Sequence, residues 1–508
     1  MPDKSLDALL ADLPDAVVHG DPTRLITNLS QDSRQIRPGG CFVAIPGFSV
    51  DGHDYIAAAL DNGASMLVVQ SDRHAVWDAY QSDRRATIVE LSATRSALPA
   101  LAAAFHDHPS RHLTVIGVTG TDGKSTTCYL IHAMLGAAGH RVGLISGVEF
   151  HIGGRWLRNE TGETSPEADL VQSLLAQMVA AGDTHVVIEA TSHALALNRV
   201  DQCNFHTAVF TGLSSDHLDF HQTQEAYLEA KLNLFRALDA HPRSAIPLPT
   251  VVVRAEDRYR EHVTAVHDQR TVLATATNED ADVSVQPLSR DATGTNLRVC
   301  TPSGALSARL PLPGDFNLGN AALAAAAAWS QGARPAALQQ ALNELRPVPG
   351  RMEPINAGQP FSVIVDAAAT GPALELALSV VKPHVAGKLI LVFGVAGERD
   401  PARRTGMGRA AAALADFSLV TSENPRSEDP STIVRDIADA MRERGAGDRL
   451  VEEPDRRQAI EIAFERAQPG DLVLIAGKGA EPTMIYADRT DPWDDREIAR
   501  ELLAAHSR

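Results

Sequence analysis

Apolar runs of strand length alternate with helical spacings along most of the chain. In the first 110 residues, Cys41–Ile45, Met66–Val69 and Thr87–Leu91 are short apolar runs, while Tyr55–Asp61 and Ala93–Phe105 follow a helical pattern. This predicts a small α/β domain over residues 1–110, with the polar, proline-containing segment His106–His112 as a linker. A second segment, 111–347, opens on Leu113–Val118, the pattern of a buried strand. After a glycine-rich turn, the i,i+4 pairs Leu130/Met134 and Ile131/Leu135 predict a helix from Lys124 to about Ala138. Strands at His185–Glu189, Thr207–Thr211 and Thr250–Val253 are separated by helices over Ala168–Ala181 and Thr223–Leu238. These are βαβ units and imply a mostly parallel sheet. Residues 281–312 read as short antiparallel strands and Asn317–Leu345 as helix-rich. The Pro/Gly boundary Arg346–Arg351 leads into a third segment, 348–508. Its strands at Phe361–Val365, Leu389–Phe393, Ser418–Thr421 and Asp471–Ile475 alternate with helices, as in a second doubly wound α/β domain.

Composition narrows the class. The 508 residues are 44 % hydrophobic and 5 % aromatic, as in soluble globular proteins. The longest apolar stretch, Ala321–Trp329, is far short of the roughly 20 residues of a membrane span. A net charge of −18 argues against a general nucleic-acid binder. The N-terminus has no basic n-region or long apolar core, so it does not read as a signal peptide. Cys41, Cys128, Cys203 and Cys300 are scattered without metal-ligand spacing, which fits a reducing cytoplasm. The expectation is a cytoplasmic monomer with no membrane or nucleic-acid partner. The 46 basic residues are 40 Arg and only 6 Lys. Lys124, Lys231 and Lys478 fall inside motifs, whereas Lys4, Lys382 and Lys388 read as surface residues.

Residues 117–126, GVTGTDGKST, lie between a predicted strand and a predicted helix. Gly120 and Gly123 let backbone N–H groups around Thr121 and Asp122 turn toward phosphate oxygens, and the helix N-terminus adds its dipole. Lys124 can reach the β/γ-phosphates, and the hydroxyl of Ser125 or Thr126 can ligate Mg²⁺. A glycine-rich turn can also exist without a ligand, but strand, G-x-x-G-K-S and helix in this order favour a nucleotide. Glu189 ends the apolar strand HVVIE, where a carboxylate faces the ligand crevice of an α/β sheet and suits Mg²⁺. Lys231 falls within the apolar stripe Tyr227, Leu228, Leu234, Phe235 and Leu238. A lone lysine there commonly snorkels. In a chain so poor in lysine, a buried functional lysine is the sharper reading.

The T-G-T-x-G-K-S form of the loop, with Val118 where the longer P-loop pattern wants glycine, resembles the Mur ligase family. These are the ATP-dependent amide-bond ligases of peptidoglycan precursor synthesis, and they usually carry Asn in place of Asp122. The resemblance covers essentially the whole chain. It is strongest to members that add the third amino acid to UDP-N-acetylmuramoyl-L-alanyl-D-glutamate. The segments DSR (32–34), PGGCFVAIPG (38–47) and DGH (51–53) resemble the uridine-binding domain and imply Ser33 as a nucleotide contact. GETSPEA (162–168) resembles the segment that holds the muramoyl-peptide, with Thr164 and Ser165 in place of two threonines. EATSHALALNRV (189–200) implies Ser192 and Arg199 as further substrate contacts. FTGLSSDHLDFH (210–221) implies His217 on a second Mg²⁺. YLEAKLNLF (227–235) resembles the family's carbamylated-lysine segment, in which CO₂ adds to the neutral amine and the resulting anion binds metal. GDFNLGN (314–320) and PGRME (349–353) imply Asn317 and Arg351 at ATP.

FGVAGERDPARR (393–404) and TSENPRSEDP (421–430) resemble the amino-acid-binding domain. Diaminopimelate-adding members carry D-N-P-R where this chain has Glu423-Asn424-Pro425-Arg426. Arg426 would then pair with the distal carboxylate and Glu423 would accept the ammonium. Arg399, Asn424, Gly477 and Glu481 complete the implied amine site. The chain also departs from the family. D-Y-A-H-T-P is here Asp366-Ala-Ala-Ala-Thr-Gly-Pro372, and G-K-G-H-E is Gly477-Lys478-Gly479-Ala480-Glu481, so Ala369 and Ala480 replace two histidines. Gly212 stands where Asn is usual.

The implied architecture is α/β in three domains: a small uridine-binding domain, a central P-loop mononucleotide-binding domain and a C-terminal Rossmann-like domain. The implied catalytic residues are Lys124, Glu189, His217 and Lys231, with ATP, two Mg²⁺ and CO₂ as the lysine carbamate. A substrate carboxylate takes the γ-phosphoryl group, and an amine then attacks the acyl phosphate. Two other readings stay open: a paralogue joining a different amine or acid, and a catalytically weak nucleotide-binding homologue.

Overall fold

The structure, a computed structural model, describes residues 3–48, 50–83, 85–214, 216–240, 248–277, 280–291 and 294–506. Ser215 of the FTGLSSDHLDFH motif and residues 292–293 of the expected 281–312 strands lie outside the described residues. The chain packs as two units, Met1–Lys124 with Ala138–Leu273, and Ser125–Ala137 with Ala274–Arg508.

In the first unit a five-stranded sheet runs in the order Val17–His19, Thr87–Leu91, Ala64–Gln70, Gly40–Val43, Leu29–Ser30. Only its edge strand Val17–His19 is antiparallel. The three expected apolar runs fall on these strands. Helix Thr94–Phe105 buries Leu98 and Leu101 in the same core as Cys41, Met66 and Val68. The segment expected as a linker is tied down instead. Pro109–His112 forms a 3₁₀ turn, and Ser110 Oγ donates to Gln202 O at 2.8 Å. Lys4 is not a free surface residue either, since its side chain is largely covered and pairs with Asp107.

A second sheet in this unit sets the parallel strands Val142–Ile145, His185–Glu189, Thr114–Thr119, Phe205–Phe210 and Thr250–Arg254 side by side. The hairpin Glu149–Ile152/Arg155–Arg158 extends it beyond Val142–Ile145. Continuous apolar strands buried on both faces pair in parallel when helices connect them. Thr114–Thr119 lies between His185–Glu189 and Phe205–Phe210, so the C-terminal ends of the three strands share one edge. The apolar pattern did not expose Val142–Ile145 or the hairpin. Those segments are four residues each, and the hairpin strands intersperse charge with apolar residues.

The second unit holds the antiparallel strands Val283–Asp291, Gly294–Thr301 and Gly304–Leu310, followed by helices Phe316–Ser330 and Pro335–Asn343. A six-stranded sheet follows in the order Glu353–Pro354, Ser362–Asp366, Leu472–Ala476, Leu389–Phe393, Phe417–Val420, Leu450–Glu452, parallel except for its first strand. Helices cover both faces, burying Leu374, Met407 and Ile433 on one and Ile460, Phe464 and Leu502 on the other. Among the described residues, no helix is long and apolar enough to cross a membrane.

Candidate active site

Two clusters carry the chemistry, one around the phosphate loop and one in the second unit. In the first, strand Thr114–Thr119 delivers the chain into loop 120–123, and helix Lys124–Ala137 follows. Gly120 has φ +147°, and a Cβ there would stand 2.0 Å from Thr211 Oγ1, so only glycine lets the loop come this close. The loop is stitched to the next strand end. Thr121 N donates to Gly212 O at 2.9 Å, Thr211 Oγ1 to Asp122 O at 2.6 Å, and Ser214 N to Thr121 Oγ1 at 3.0 Å. Gly212 has φ +117°, a backbone that residues with a Cβ rarely adopt, which is a physical reason for glycine at this position. Lys124 Nζ donates to Thr121 O at 2.7 Å, and the Asp122 carboxylate accepts from Ser214 Oγ at 3.3 Å. Ser125 and Thr126 are buried in the first turn of the helix.

Thr223 caps helix Gln224–Arg236, its hydroxyl accepting from Ala226 N at 3.1 Å. The cap starts a helix whose buried face includes Tyr227 and Lys231. Lys231 does not snorkel. It is 1 % exposed, its Nζ donates to Gly120 O at 2.7 Å, and it lies 4.4 Å from the centre of the Tyr227 ring. Tyr227 Oη in turn is 3.1 Å from Thr121 Oγ1, a contact the sequence did not announce. Burial, with the Lys124 charge second, drives the Lys231 amine well below the ordinary lysine range. His217 has φ +52°, its ring centre is 6.2 Å from that of Tyr227, and its Nε2 is 3.3 Å from Asp216 Oδ2. Burial holds its imidazole below the usual histidine range. Glu189 stands in register with Val118 at the end of its strand, and its Oε2 accepts from Gly147 N at 3.2 Å.

Among the described residues, no three His, Cys, Asp or Glu side chains form a self-sufficient metal cage. Mg²⁺ beside a nucleotide takes one or two protein donors and completes its shell with water and phosphate oxygens. The Glu189 carboxylate at its strand end is a hard oxygen donor of the kind such an ion takes, and the Ser125 hydroxyl follows the phosphate loop in sequence.

Ser165 is buried beside Glu189, its Oγ donating to Glu189 O at 2.7 Å and accepting from Thr191 N at 3.1 Å. Thr164 stands against Gly147. Arg199 is gripped by Glu163 at 2.9 Å, Glu167 at 2.7 Å and Ser165 O at 3.1 Å. The buried Ser192 Oγ has no hydrogen-bond partner among the described residues. Ser33 is buried in the 3₁₀ turn Ser33–Gln35, where Asp32 is the cap and pairs with Arg34 at 2.9 Å. The DGH motif is occupied structurally. Asp51 accepts from His53 N at 3.0 Å and lies 2.6 Å from His53 Nδ1, while His53 Nε2 accepts from Gln70 N at 2.9 Å.

In the second unit, Asn317 is tied up by Pro313 O at 2.7 Å and Asn320 Nδ2 at 3.1 Å. Arg351 is half-buried, and its charge acts on half-buried Asp366, whose carboxylate accepts from Met352 N at 2.8 Å and Ala368 N at 2.9 Å. Glu423, Asn424, Lys478 and Glu481 form one cluster. Burial first, and the Glu481 charge second, pushes the Glu423 carboxyl up to about 7. Arg456 also faces it and is itself locked to Asp495 by bonds of 2.8 and 2.7 Å. Gly477 has φ +113°, and a Cβ there would lie 3.7 Å from Glu423 Cγ. Arg426 has φ +56°, its N donates to Ile485 O at 3.0 Å, and its Nη1 is 3.9 Å from Glu398 Oε2. Arg399 is exposed and, among the described residues, is not joined to this cluster by a hydrogen bond.

Family models match in chain order: "Mur ligase family, catalytic domain" over residues 25–106, "Mur ligase middle domain" over 118–328, and "Mur ligase, glutamate ligase domain" over 350–479. A UDP-N-acetylmuramyl-tripeptide synthetase of Roseiflexus sp. (strain RS-1) is 42 % identical over 489 residues, 94 % of each chain. The chain belongs to the Mur ligase family. The ligase is also similar to UDP-N-acetylmuramoyl-L-alanyl-D-glutamate–2,6-diaminopimelate ligases. One from Solibacter usitatus is 37 % identical over 95 % of this chain and 94 % of its own. Another, from Geobacillus thermodenitrificans, is 38 % identical over 97 % and 98 %. A solved structure of such a diaminopimelate ligase matches the whole of both chains at 28 % identity with a TM-score of 0.65. MurF from Acinetobacter baumannii shares the fold at 18 % identity, with a TM-score of 0.68 over 100 % of this chain and 99 % of its own. As a Mur ligase the chain is an ATP-dependent, ADP-forming ligase of mixed α/β fold, in a family that uses ATP and Mg²⁺.

Proposed function

We propose that this ligase adds meso-diaminopimelate, as the third amino acid, to UDP-N-acetylmuramoyl-L-alanyl-D-glutamate in peptidoglycan precursor synthesis. The observation that carries this reading is Lys231, a fully buried lysine hydrogen-bonded to the carbonyl of Gly120 in the phosphate loop. A buried amine on the phosphate loop, driven below the ordinary lysine range, supports a catalytic part for Lys231 over a purely nucleotide-binding scaffold. The division of labour is residues 1–110 for the UDP-sugar, 111–347 for ATP and 348–508 for the amino acid.

Lys124 and the loop amides bind and orient the ATP phosphates, with Asn317 and Arg351 toward the rest of the nucleotide. Ser33, Thr164, Ser165, Ser192 and Arg199 hold the UDP-muramoyl-dipeptide. Ser125, Glu189, His217 and Lys231 as its carbamate hold two Mg²⁺ ions. When bound, those ions supply charge neutralisation at the transferring phosphoryl group. Carbamylation needs a neutral amine, and burial supplies the condition for it. Arg426 pairs with the distal carboxylate of the diamino acid. Arg399, Glu423, Asn424, Gly477 and Glu481 complete its site, and the incoming amine displaces phosphate from the acyl phosphate. The ligase works as a cytoplasmic monomer without nucleic-acid or membrane partners.

A second reading, a ligase for a different amine, is favoured by Ala369 and Ala480 in place of two histidines and by a tripeptide-synthetase relative whose name leaves the third residue unspecified. An amino-acid panel with UDP-muramoyl-dipeptide and ATP decides between them through phosphate release and product mass. Turnover with meso-diaminopimelate above all others supports the first reading, and preference for another amine the second.

A further inference from the structure

Lys478 is the one motif lysine that neither phosphate binding nor carbamylation uses. Its side chain is fully buried, and its Nζ donates to Asn424 Oδ1 at 2.8 Å and to Glu481 Oε2 at 2.9 Å. Asn424 Oδ1 also accepts from Ile485 N at 3.0 Å, and Asn424 Nδ2 donates to Glu481 Oε2 at 2.9 Å.

These bonds decide which way the amide points. An ammonium and a backbone N–H can only donate, so the atom facing both must be the amide oxygen. Both lone pairs of that oxygen are then occupied. One of the two amide N–H bonds goes to Glu481, and a single N–H remains. Asn424 therefore has nothing with which to accept from a substrate ammonium, and one donor to offer a substrate carboxylate. Glu481 is the complement. Its Oε2 is committed twice, its side chain is 47 % exposed, and no hydrogen bond falls on its Oε1 among the described residues.

We infer that Lys478 is a positioning residue that gives the amine site its polarity, turning the Asn424 N–H outward for a carboxylate and holding Glu481 for an ammonium. A guanidinium is larger and forked, whereas the Lys478 side chain is fully buried and its single Nζ meets both Asn424 Oδ1 and Glu481 Oε2. Lysine is thus the cation that fits, in a chain that otherwise prefers arginine. The inference rests on the proposed ligase function and narrows its amine to one presenting a carboxylate beside an ammonium.

The test is Lys478→Met, nearly isosteric but without donors, in steady-state kinetics with meso-diaminopimelate, UDP-muramoyl-dipeptide and ATP, with circular dichroism to establish the fold. The KM for the amine should rise about tenfold or more, as for loss of a charge-assisted hydrogen-bond network. The KM for ATP and for the dipeptide should stay within about twofold of wild type. Asn424→Asp keeps acceptors for Lys478 and Ile485 N but has no N–H to give, and it should raise the amine KM similarly. An unchanged amine KM in folded Lys478→Met overturns the inference, as does a fall in kcat alone or a rise shared by all three substrates. Should Lys478→Met fail to fold, an unchanged amine KM in Asn424→Asp overturns it. A wild-type chain that turns over no amine overturns the proposed function. The inference is then read by calorimetry: meso-diaminopimelate binding that weakens about tenfold in Lys478→Met supports it, and equal or absent binding overturns it.

Discussion

Lysine and arginine carry different tasks in this chain, and the difference shows where side chains are buried. Arginine holds its charge and grips carboxylates, as Arg456 does with Asp495. Lysine can give up its charge when desolvated, and Lys231 sits where burial asks it to. Lys231→Ala should lose activity and regain part of it with added short-chain carboxylates, which replace the carbamate. Lys231→Arg should not be rescued. A crystal grown with bicarbonate and Mg²⁺ that shows a plain ammonium at Lys231 would contradict this. Glu423 gives a pH signature. Its carboxyl is raised from the ordinary 4.5 to about 7, so the folded chain holds that proton more tightly than the unfolded chain. The stability this contributes is complete below the unfolded value and drains away as pH rises through 7. Melting temperatures of Glu423→Gln and wild type should therefore diverge between about pH 5 and 8 in favour of the variant. Over the same window, ionisation of Glu423 should tighten amine binding to wild type, and the variant's amine KM should be flat.

At the scale of the element, the phosphate loop depends on contact as well as conformation. Gly120→Ala must displace Thr211 Oγ1 by more than an ångström and adopt a backbone that alanine avoids. It should cost about 1–3 kcal/mol, read as a lower melting temperature, and remove ATP binding in a nucleotide titration. A variant with wild-type melting and ATP affinity would show that the close approach to Thr211 is unimportant. Much of this element was legible beforehand. Strand, glycines, lysine and helix are local in sequence, and Glu189 announces itself by ending an apolar strand. Contacts made across sequence left no such trace. Nothing periodic joins Lys478 to Asn424, 54 positions away, and no spacing rule pairs Tyr227 with Thr121. The strand Val142–Ile145 was missed because four residues give too short a pattern to separate from a loop. His106–His112 was misread because a proline among three histidines looks like a linker until Ser110 is seen bonded to Gln202. Arg199 read as a substrate contact, yet Glu163 and Glu167 already engage it, so a substrate anion must compete with two carboxylates.

At the scale of the whole molecule, the two parallel sheets each offer strand ends to a ligand, the first through the phosphate loop and the second through the Glu423–Arg426 turn. The turn fixes where the Arg426 side chain starts, since its backbone is left-handed and its N–H is bonded to Ile485 O. Arg426→Lys should keep ligation but lose roughly ten- to hundredfold of the preference for diaminopimelate over lysine. The competition is measured with both amines in one reaction, and an unchanged ratio would remove Arg426 from the selectivity.

The scarcity of lysine also has a practical edge. Of six lysines, Lys231 and Lys478 are sealed inside the protein, Lys4 is largely covered and Lys124 is half-buried against Thr121 O. Lys388 is exposed, and Lys382 is part-exposed against Asp416. An amine-directed biotin or fluorophore ester should therefore mark the folded ligase chiefly around residues 382–388. A tryptic map of the labelled protein would double as a report on whether the buried lysines have stayed buried.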